Sequence, residues 1–183
     1  MNKDWNTIDF LRHVRHDWLN KIQLIKGNLA LNKEERVKEI IEVIIMEAQN
    51  EARLSNLDIP QFATLLLTCN WESYAFQLEY EVLNEEKCLF IEDAAITEWT
   101  AKFFGMLHES VKTFSENHLS VSIDPQLTSV RLYFDFSGII EDKAAIHHFL
   151  KTEASEHMKV ELQELTEKEL TLELLIYPKS TKN

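Results

Sequence analysis

The sequence IDFLRHVRHDWLNKIQLIKGNL at residues 8–29 decides the fold of the N-terminal part of the chain. Its apolar side chains recur at steps of three and four residues, which places them on one stripe of an α-helix. The stripe consists of Leu11, Val14, Trp18, Ile22, Ile25 and Leu29. Residues 34–56 repeat this spacing after a short connection around Asn32 and Lys33, so the two segments predict an antiparallel helical hairpin.

Two helices bury only the strip along which they touch each other. Six further apolar side chains would then stay exposed: Ile8, Leu19, Leu24, Ile40, Val43 and Met46. A second copy of the hairpin would cover them in a four-helix bundle, and we therefore expect a homodimer. The alternative is that the C-terminal part of the same chain covers them.

The rest of the chain alternates helical and strand patterns, which predicts an α+β domain with helices on one face of a sheet. The expected helices cover 62–76, 96–114 and 144–150, and the expected strands cover 78–82, 119–123, 130–136, 158–165 and 170–177. The second and third strands would be joined through Asp124 and Pro125.

The composition of the 183 residues, with 45% hydrophobic and 27% charged side chains, is that of a globular protein. Residues 1–57 hold nine basic and nine acidic side chains, whereas residues 58–183 hold ten and 22. This step predicts a helical domain at 1–57 and an α/β domain at 58–183. The net charge of −12 disfavours a nucleic-acid or anionic-membrane binder.

Neither a membrane-spanning run nor the apolar region of a secretory signal is found, and two cysteines cannot form a disulfide framework. We therefore expect a cytoplasmic protein. The three glycines, Gly27, Gly105 and Gly138, stand too far apart to build a glycine-rich phosphate loop.

A polar face lies opposite the apolar stripe of the first helix, with His16 about 160° from Trp18. An exposed imidazole can be a neutral nucleophile in the cell. Arg12 and Asn20 precede and follow His16 by one turn, where a guanidinium could neutralise a phosphoryl oxygen and an amide could hold the ring. The same face also carries Asp9, His13, Gln23 and Gly27.

Spacing alone leaves other interpretations of this face open. His16 could be a solvated surface histidine, and His13 is predicted to be equally exposed. The two could share a metal ion, but the sequence offers no third ligand nearby, so we expect no metal site.

The order of residues adds a resemblance to these patterns. Residues 11–29 resemble the phosphoacceptor box of sensor histidine kinases, and RHDWLNKIQLIKGNL at 15–29 more closely resembles the sporulation initiation phosphotransferase family of bacilli. LSNL at 54–57, LEYEVL at 78–83 and SENHLSVS at 115–122 extend the resemblance, which thins after residue 140.

That resemblance implies a phosphorelay carrier. His16, not His13, would take a phosphoryl group from the aspartate of a single-domain response regulator. It would pass the group to the receiver domain of the sporulation transcription factor. Arg12, Arg15, Asp17 and Asn20 would support the transfer, with Asp17 orienting the ring. Asp9, His13, Gln23 and Gly27 would contact the partner. The family dimerises through the hairpin, and its receiver partners bring the magnesium, so this chain would need no cofactor of its own.

The resemblance also implies a C-terminal domain shaped like a kinase ATP-binding domain that does not work as one. Glu109 stands where kinases have a magnesium-binding asparagine, and YFDFSGII at 133–140 has one glycine where two are needed. A carboxylate there would repel a triphosphate, so we expect no autokinase activity. Two alternatives stay open: a degenerate sensor kinase that still binds ATP, and a dimeric regulator that binds receivers without exchanging phosphate.

Overall fold

The chain forms two compact units, Met1–Gln49 and Asn50–Asn183. A computed structural model describes residues 6–88, 91–153 and 157–178. Leu54 and Leu57 belong to the core of the second unit, where each is 1% exposed, and this is why the unit begins before residue 57. The functional division predicted between residues 57 and 58 stays a prediction.

The first unit is the predicted helical hairpin, built from α1 (Thr7–Ala30) and most of α2 (Glu34–Ser55). Asn6 caps α1 by accepting hydrogen bonds from the backbone N–H groups of Ile8 and Asp9, both at 3.0 Å. At the turn, Asn32 has φ 55°, a left-handed conformation that asparagine tolerates better than most residues.

The hairpin covers only part of the apolar stripe predicted along α1. Val14 and Ile25 are half-buried, whereas Leu11, Trp18, Ile22 and Leu29 are exposed. The expectation that further apolar side chains stay exposed is confirmed for Ile8, Leu19, Leu24, Val43 and Met46 and is wrong for Ile40, which is buried. An extensive apolar surface on both helices therefore has no cover from the hairpin itself.

The second unit is a five-stranded sheet with the order β1-β2-β3-β5-β4. Its strands are β1 (Gln77–Val82), β2 (His118–Gln126), β3 (Ser129–Ser137), β4 (Met158–Leu165) and β5 (Glu169–Ile176). Among the strands that the structure describes, β1 and β2 pair in parallel and the other neighbours are antiparallel. The α+β class predicted from the sequence is confirmed.

Three helices, α3 (Pro60–Cys69), α4 (Asp93–Ser110) and α5 (Lys143–Thr152), cover one face of this sheet. Alternate residues of the strands point into the core they share, as the period of two requires. Its largest side chains that are fully buried, at less than 2% exposure, are Phe62, Phe103, Phe104, Phe134 and Phe136.

Two helices end earlier than their apolar patterns predict. α3 stops at Cys69 because the side chain of Asn70 exchanges two 2.8 Å hydrogen bonds with the backbone of Leu78 and turns the chain into β1. α4 stops at Ser110 because Val111 is extended and pairs with Ile140 in an isolated bridge.

The predicted connection through Asp124 and Pro125 is also wrong, because both residues lie inside β2. Pro125 pairs with Val130 of β3, and the hairpin turns beyond Gln126. A proline is tolerated there because β1 accompanies β2 only as far as Ile123, so the missing N–H interrupts no ladder on that side.

Candidate functional site

His16 lies near the middle of α1, where the hydrogen-bonded backbone holds its position. Its side chain is 71% exposed, in agreement with the prediction that the ring points to solvent. The helix thus presents an imidazole on a firm support with space around it for another molecule.

Two residues of the same helix contact one nitrogen of the ring. The amide nitrogen of Asn20 lies 3.2 Å from Nδ1 of His16, and Oδ1 of Asp17 lies 3.5 Å from the same atom. Nδ1 therefore faces its own helix, which leaves Nε2 as the nitrogen available to a visiting group.

The two arginines expected to support His16 are close in sequence but do not touch the ring. Nη1 of Arg12 forms a 2.6 Å ion pair with Oδ1 of Asp9, and its side chain is largely exposed. Arg15 is exposed and has no hydrogen bond or ion pair with any residue that the structure describes. None of the described residues therefore engages its guanidinium.

The remaining residues of the predicted polar face divide into two groups. Gln23 and Gly27 are exposed along the helix beyond Asn20, whereas Asp9 and His13 are half-buried. A methyl group added at Gly27 would meet no atom within 4 Å. The prediction that His13 is as exposed as His16 is wrong, and Gly27 has no packing reason within the described chain to be a glycine.

Sequence reasoning missed the ion pair that joins the two helices near this site. Nζ of Lys21 lies 2.5 Å from Oε2 of Glu47 on α2 and 5.7 Å from the centre of the Trp18 ring. The opposite charges on the two helices indicated that such an ion pair was possible, but the sequence alone could not show which residues face each other.

Neither a metal site nor a membrane helix is found in the described ranges. No three histidine, cysteine or acidic side chains come together there in a way that could hold an ion. None of the helices described has the length and apolar character needed to cross a bilayer.

The short connection between β3 and α5 corresponds to the segment compared above with the kinase glycine box. All five of its backbone N–H groups, at residues 138–142, donate to acceptors within the protein, at 2.8–3.1 Å. A Cβ at Gly138 would lie 2.2 Å from Oδ1 of the buried Asn117, so the glycine serves side-chain packing. No N–H of this connection is left to hold a phosphate.

Two family models match the chain. The α-helical domain of sensor kinases of the Spo0B type matches residues 1–57, and the C-terminal domain of sporulation initiation phosphotransferase B matches residues 58–177. The chain belongs to the sporulation initiation phosphotransferase B family. It is 40% identical to sporulation initiation phosphotransferase B of Bacillus subtilis (strain 168) over 169 residues, 91% of this chain and 88% of that protein. It is therefore a phosphotransferase with a role in a phosphorelay.

Solved structures of histidine kinases also align with the chain. The catalytic domain of histidine kinase ThkA aligns with 67% of this chain and 92% of its own length, at a TM-score of 0.44 and 11% identity. A chain from the complex of ThkA with the response regulator protein TrrA aligns with 96% of this chain and 63% of its own length, at a TM-score of 0.43 and 14% identity.

Proposed function

We propose that His16 carries the phosphoryl group between two response regulators. The donor is the aspartyl phosphate of a single-domain response regulator, and the acceptor is the aspartate in the receiver domain of the sporulation transcription factor. The observation that carries the proposal is the exposed imidazole with Nδ1 on its own helix and Nε2 outward.

In the first transfer, the Nε2 lone pair of His16 attacks phosphorus, a P–N bond forms, and the P–O bond to the donor aspartate breaks. In the second transfer, a carboxylate oxygen of the acceptor attacks phosphorus and the P–N bond breaks, which returns the imidazole. Positioning and charge neutralisation do most of the catalytic work in such transfers. The chain itself needs no cofactor, since the magnesium that neutralises phosphoryl charge comes with the receiver.

Two guanidinium groups near His16 can add to that neutralisation. Arg15 has no partner among the described residues, so it can turn towards the phosphoryl oxygens without breaking a contact. Arg12 would have to share its charge with Asp9. We therefore assign the larger supporting role to Arg15, with Asp17 and Asn20 orienting the ring.

The receiver domain would contact a surface along α1 formed by Asp9, His13, Gln23 and Gly27. The excess of basic residues in positions 1–32, five against three acidic ones, suits the acidic pocket of a receiver. We expect the transfer to take place in the cytoplasm.

The hairpin completes its fold by pairing with a second copy. Exposed apolar side chains on both helices, including Trp18, Ile22 and Met46, supply the surface that a homodimeric four-helix bundle buries. The dimer carries two His16 rings.

The phosphoryl group comes from a protein and not from ATP. The N–H groups of residues 138–142 are engaged within the protein, and Glu109 is exposed in the place of the magnesium-binding asparagine. Only five residues separate β3 from α5, which is too short for a lid that closes over a nucleotide.

The test is incubation with a purified receiver domain labelled at its aspartyl phosphate. His16→Ala should lose all label on this chain while keeping its thermal stability, and His13→Ala should still accept label. Label on the His16→Ala protein, or its loss in the His13→Ala protein alone, would refute the assignment. A stable complex without label on any histidine would instead favour a binding module.

A further inference from the structure

A concave surface lies in the α/β unit, and its lining does not include the connection between β3 and α5. The loop that follows α3 and the loop that follows α4 enclose a cleft of about 670 Å³ at one end of β1 and β2. Neither Glu109 nor any residue of 138–142 lines it. A cleft of this volume is in the range of ligand sites.

Buried hydrogen bonds hold both walls of the cleft in place. Asn117 is 2% exposed, and its Nδ2 donates to the carbonyl oxygens of Ala75 and Lys112 at 2.7 and 2.8 Å. The N–H of Ala75 donates to Nδ1 of His108 at 2.9 Å. A ligand would therefore meet walls that are already ordered, which reduces the entropic cost of binding.

Aromatic rings form one side of the cleft. Tyr74 stacks on Phe76 with centroids 5.2 Å apart, and the ring of His108 packs edge-on against Tyr74. Tyr74 is half-buried, so part of its ring is accessible from the cleft.

Phe114 lies in the other wall in an unusual conformation. Its φ is 57°, a left-handed value that is an outlier for a bulky residue, and its side chain is fully exposed. Strain at a non-glycine residue persists where the surrounding structure enforces it, and such residues cluster at binding sites. A ring held in solvent by a strained backbone gains contacts only when a ligand covers it.

The charge of the cleft selects the kind of ligand. Glu72 and Glu116 line it, and no lysine or arginine does. Glu116 is exposed and forms no hydrogen bond or ion pair with the described residues. Carboxylates beside aromatic faces favour a guanidinium, because its planar cation stacks on rings and donates to carboxylates at the same time.

We propose that this cleft binds an arginine side chain of a partner protein. The guanidinium packs against the ring of Tyr74 and donates to Glu116, and the chain flanking the arginine covers Phe114. A protein is the source, and not a free cation, because the fully exposed Phe114 ring offers contacts to a ligand that extends beyond the arginine side chain. This site is separate from phosphoryl transfer at His16, so either proposal can fail without the other.

The experiment is a titration of the full-length protein at low salt, followed by backbone amide NMR signals. The probes are acetyl-Gly-Ala-Arg-Ala-Gly-amide, the same peptide with neutral citrulline in place of arginine, and free arginine amide. The arginine peptide should shift the signals of residues 72–77 and 113–118. The citrulline peptide should bind about tenfold or more weakly than the arginine peptide. Citrulline can still contact the aromatic ring, but it lacks the positive charge that the ring and the carboxylate attract.

Two substitutions separate the parts of the site. Glu116→Gln and Phe114→Asn should each weaken binding of the arginine peptide about fivefold or more. The control is Glu86→Gln, an exposed substitution outside the cleft, which should leave binding unchanged. Phe114→Asn should also raise the Tm, since asparagine accepts the left-handed conformation. Unfolding therefore cannot explain its loss of binding.

Three results would overturn the proposal. The citrulline peptide could bind as well as the arginine peptide, or Glu116→Gln could bind like the unaltered protein. Arginine amide could bind as tightly as the peptide and show the same loss in Phe114→Asn, which would identify a free guanidinium compound as the ligand in place of a partner protein.

Discussion

Nδ1 of His16 lies close to both a hydrogen-bond donor and an acceptor, the amide nitrogen of Asn20 at 3.2 Å and Oδ1 of Asp17 at 3.5 Å. An amide N–H that donates to Nδ1 keeps the ring proton on Nε2, which removes the lone pair needed for attack on phosphorus. A carboxylate that accepts from Nδ1–H leaves that lone pair on Nε2. Asp17 and Asn20 therefore bias the tautomer of the phosphoacceptor in opposite directions.

Removing the carboxylate should slow phosphoryl acceptance by His16. In Asp17→Asn the charge-assisted partner of Nδ1–H is lost, and we expect the rate to fall about tenfold, equivalent to about 1.4 kcal/mol. The ¹⁵N chemical shifts of the ring should move towards the Nε2–H tautomer. Asn20→Ala, which removes the competing donor, should move them the other way. Unchanged shifts and rates in Asp17→Asn would show that the carboxylate has no influence on the ring.

A charge on the exposed apolar surface of the hairpin should separate the proposed dimer. In Ile22→Glu a carboxylate would be buried without a partner, at a cost of several kcal/mol, which weakens association by about a hundredfold or more. Sedimentation equilibrium should show twice the chain mass for the unaltered protein and the single mass for the variant. Gln23→Glu, one residue along on the polar face, should stay dimeric. A monomeric unaltered protein would contradict the dimer.

We predict that Gly27 contacts the receiver domain and that this glycine lowers the stability of the helix. Gly27→Ala should stabilise the protein by about 0.5–1 kcal/mol, because alanine is the better helix former and its methyl group meets nothing. The same methyl group should obstruct a docked receiver and slow transfer about tenfold.

Gly105 in α4 provides a matched control for that substitution. It is also helical, and a Cβ there also meets nothing within 4 Å. Gly105→Ala should give a similar gain in stability in urea unfolding with no change in transfer. If Gly27→Ala transfers phosphate as fast as Gly105→Ala does, the close approach of a partner at Gly27 is wrong.

The features that depend on local periodicity could be predicted from the sequence. Predictions were wrong where contacts between residues distant in sequence determine the structure. Three- and four-residue steps predicted the hairpin and placed His16 on an exposed face. The same steps could not show that the hairpin leaves Leu11 and Trp18 exposed, because that depends on how the helices pack. α3 ends where the side chain of Asn70 forms hydrogen bonds with Leu78, and the spacing of apolar residues does not reveal that contact.

The site shows the same division between local and distant information. Asn20 and Asp17 follow His16 within one turn, so helical geometry alone brings them to the ring. Asn117 and Gly138 are separated by a whole β-hairpin, and their close contact appears only in the fold. The cleft beside Phe114 was not predicted for that reason, although an aromatic residue in a polar loop was its visible signal.

The two buried cysteines should make the protein less stable in alkaline solution. Burial, with a smaller contribution from Glu72, raises the pKa of Cys69 to about 12, and burial, with a smaller contribution from Asp58, raises that of Cys88 to about 12. An unfolded thiol ionises near its ordinary pKa of 9.0. The stabilising effect of the neutral thiols is therefore complete below pH 9 and is lost as the pH rises towards 12.

The loss should be measurable by urea unfolding at about pH 8 and about pH 10, with a slope of up to about 1.4 kcal/mol per pH unit for each thiol. A protein carrying both Cys69→Ala and Cys88→Ala should be less stable at both values, because each change leaves a cavity. Its stability should nevertheless fall less between them than that of the unaltered protein. An equal fall in the two proteins would show that the alkaline loss comes from other groups, among them Tyr74, whose pKa burial also raises.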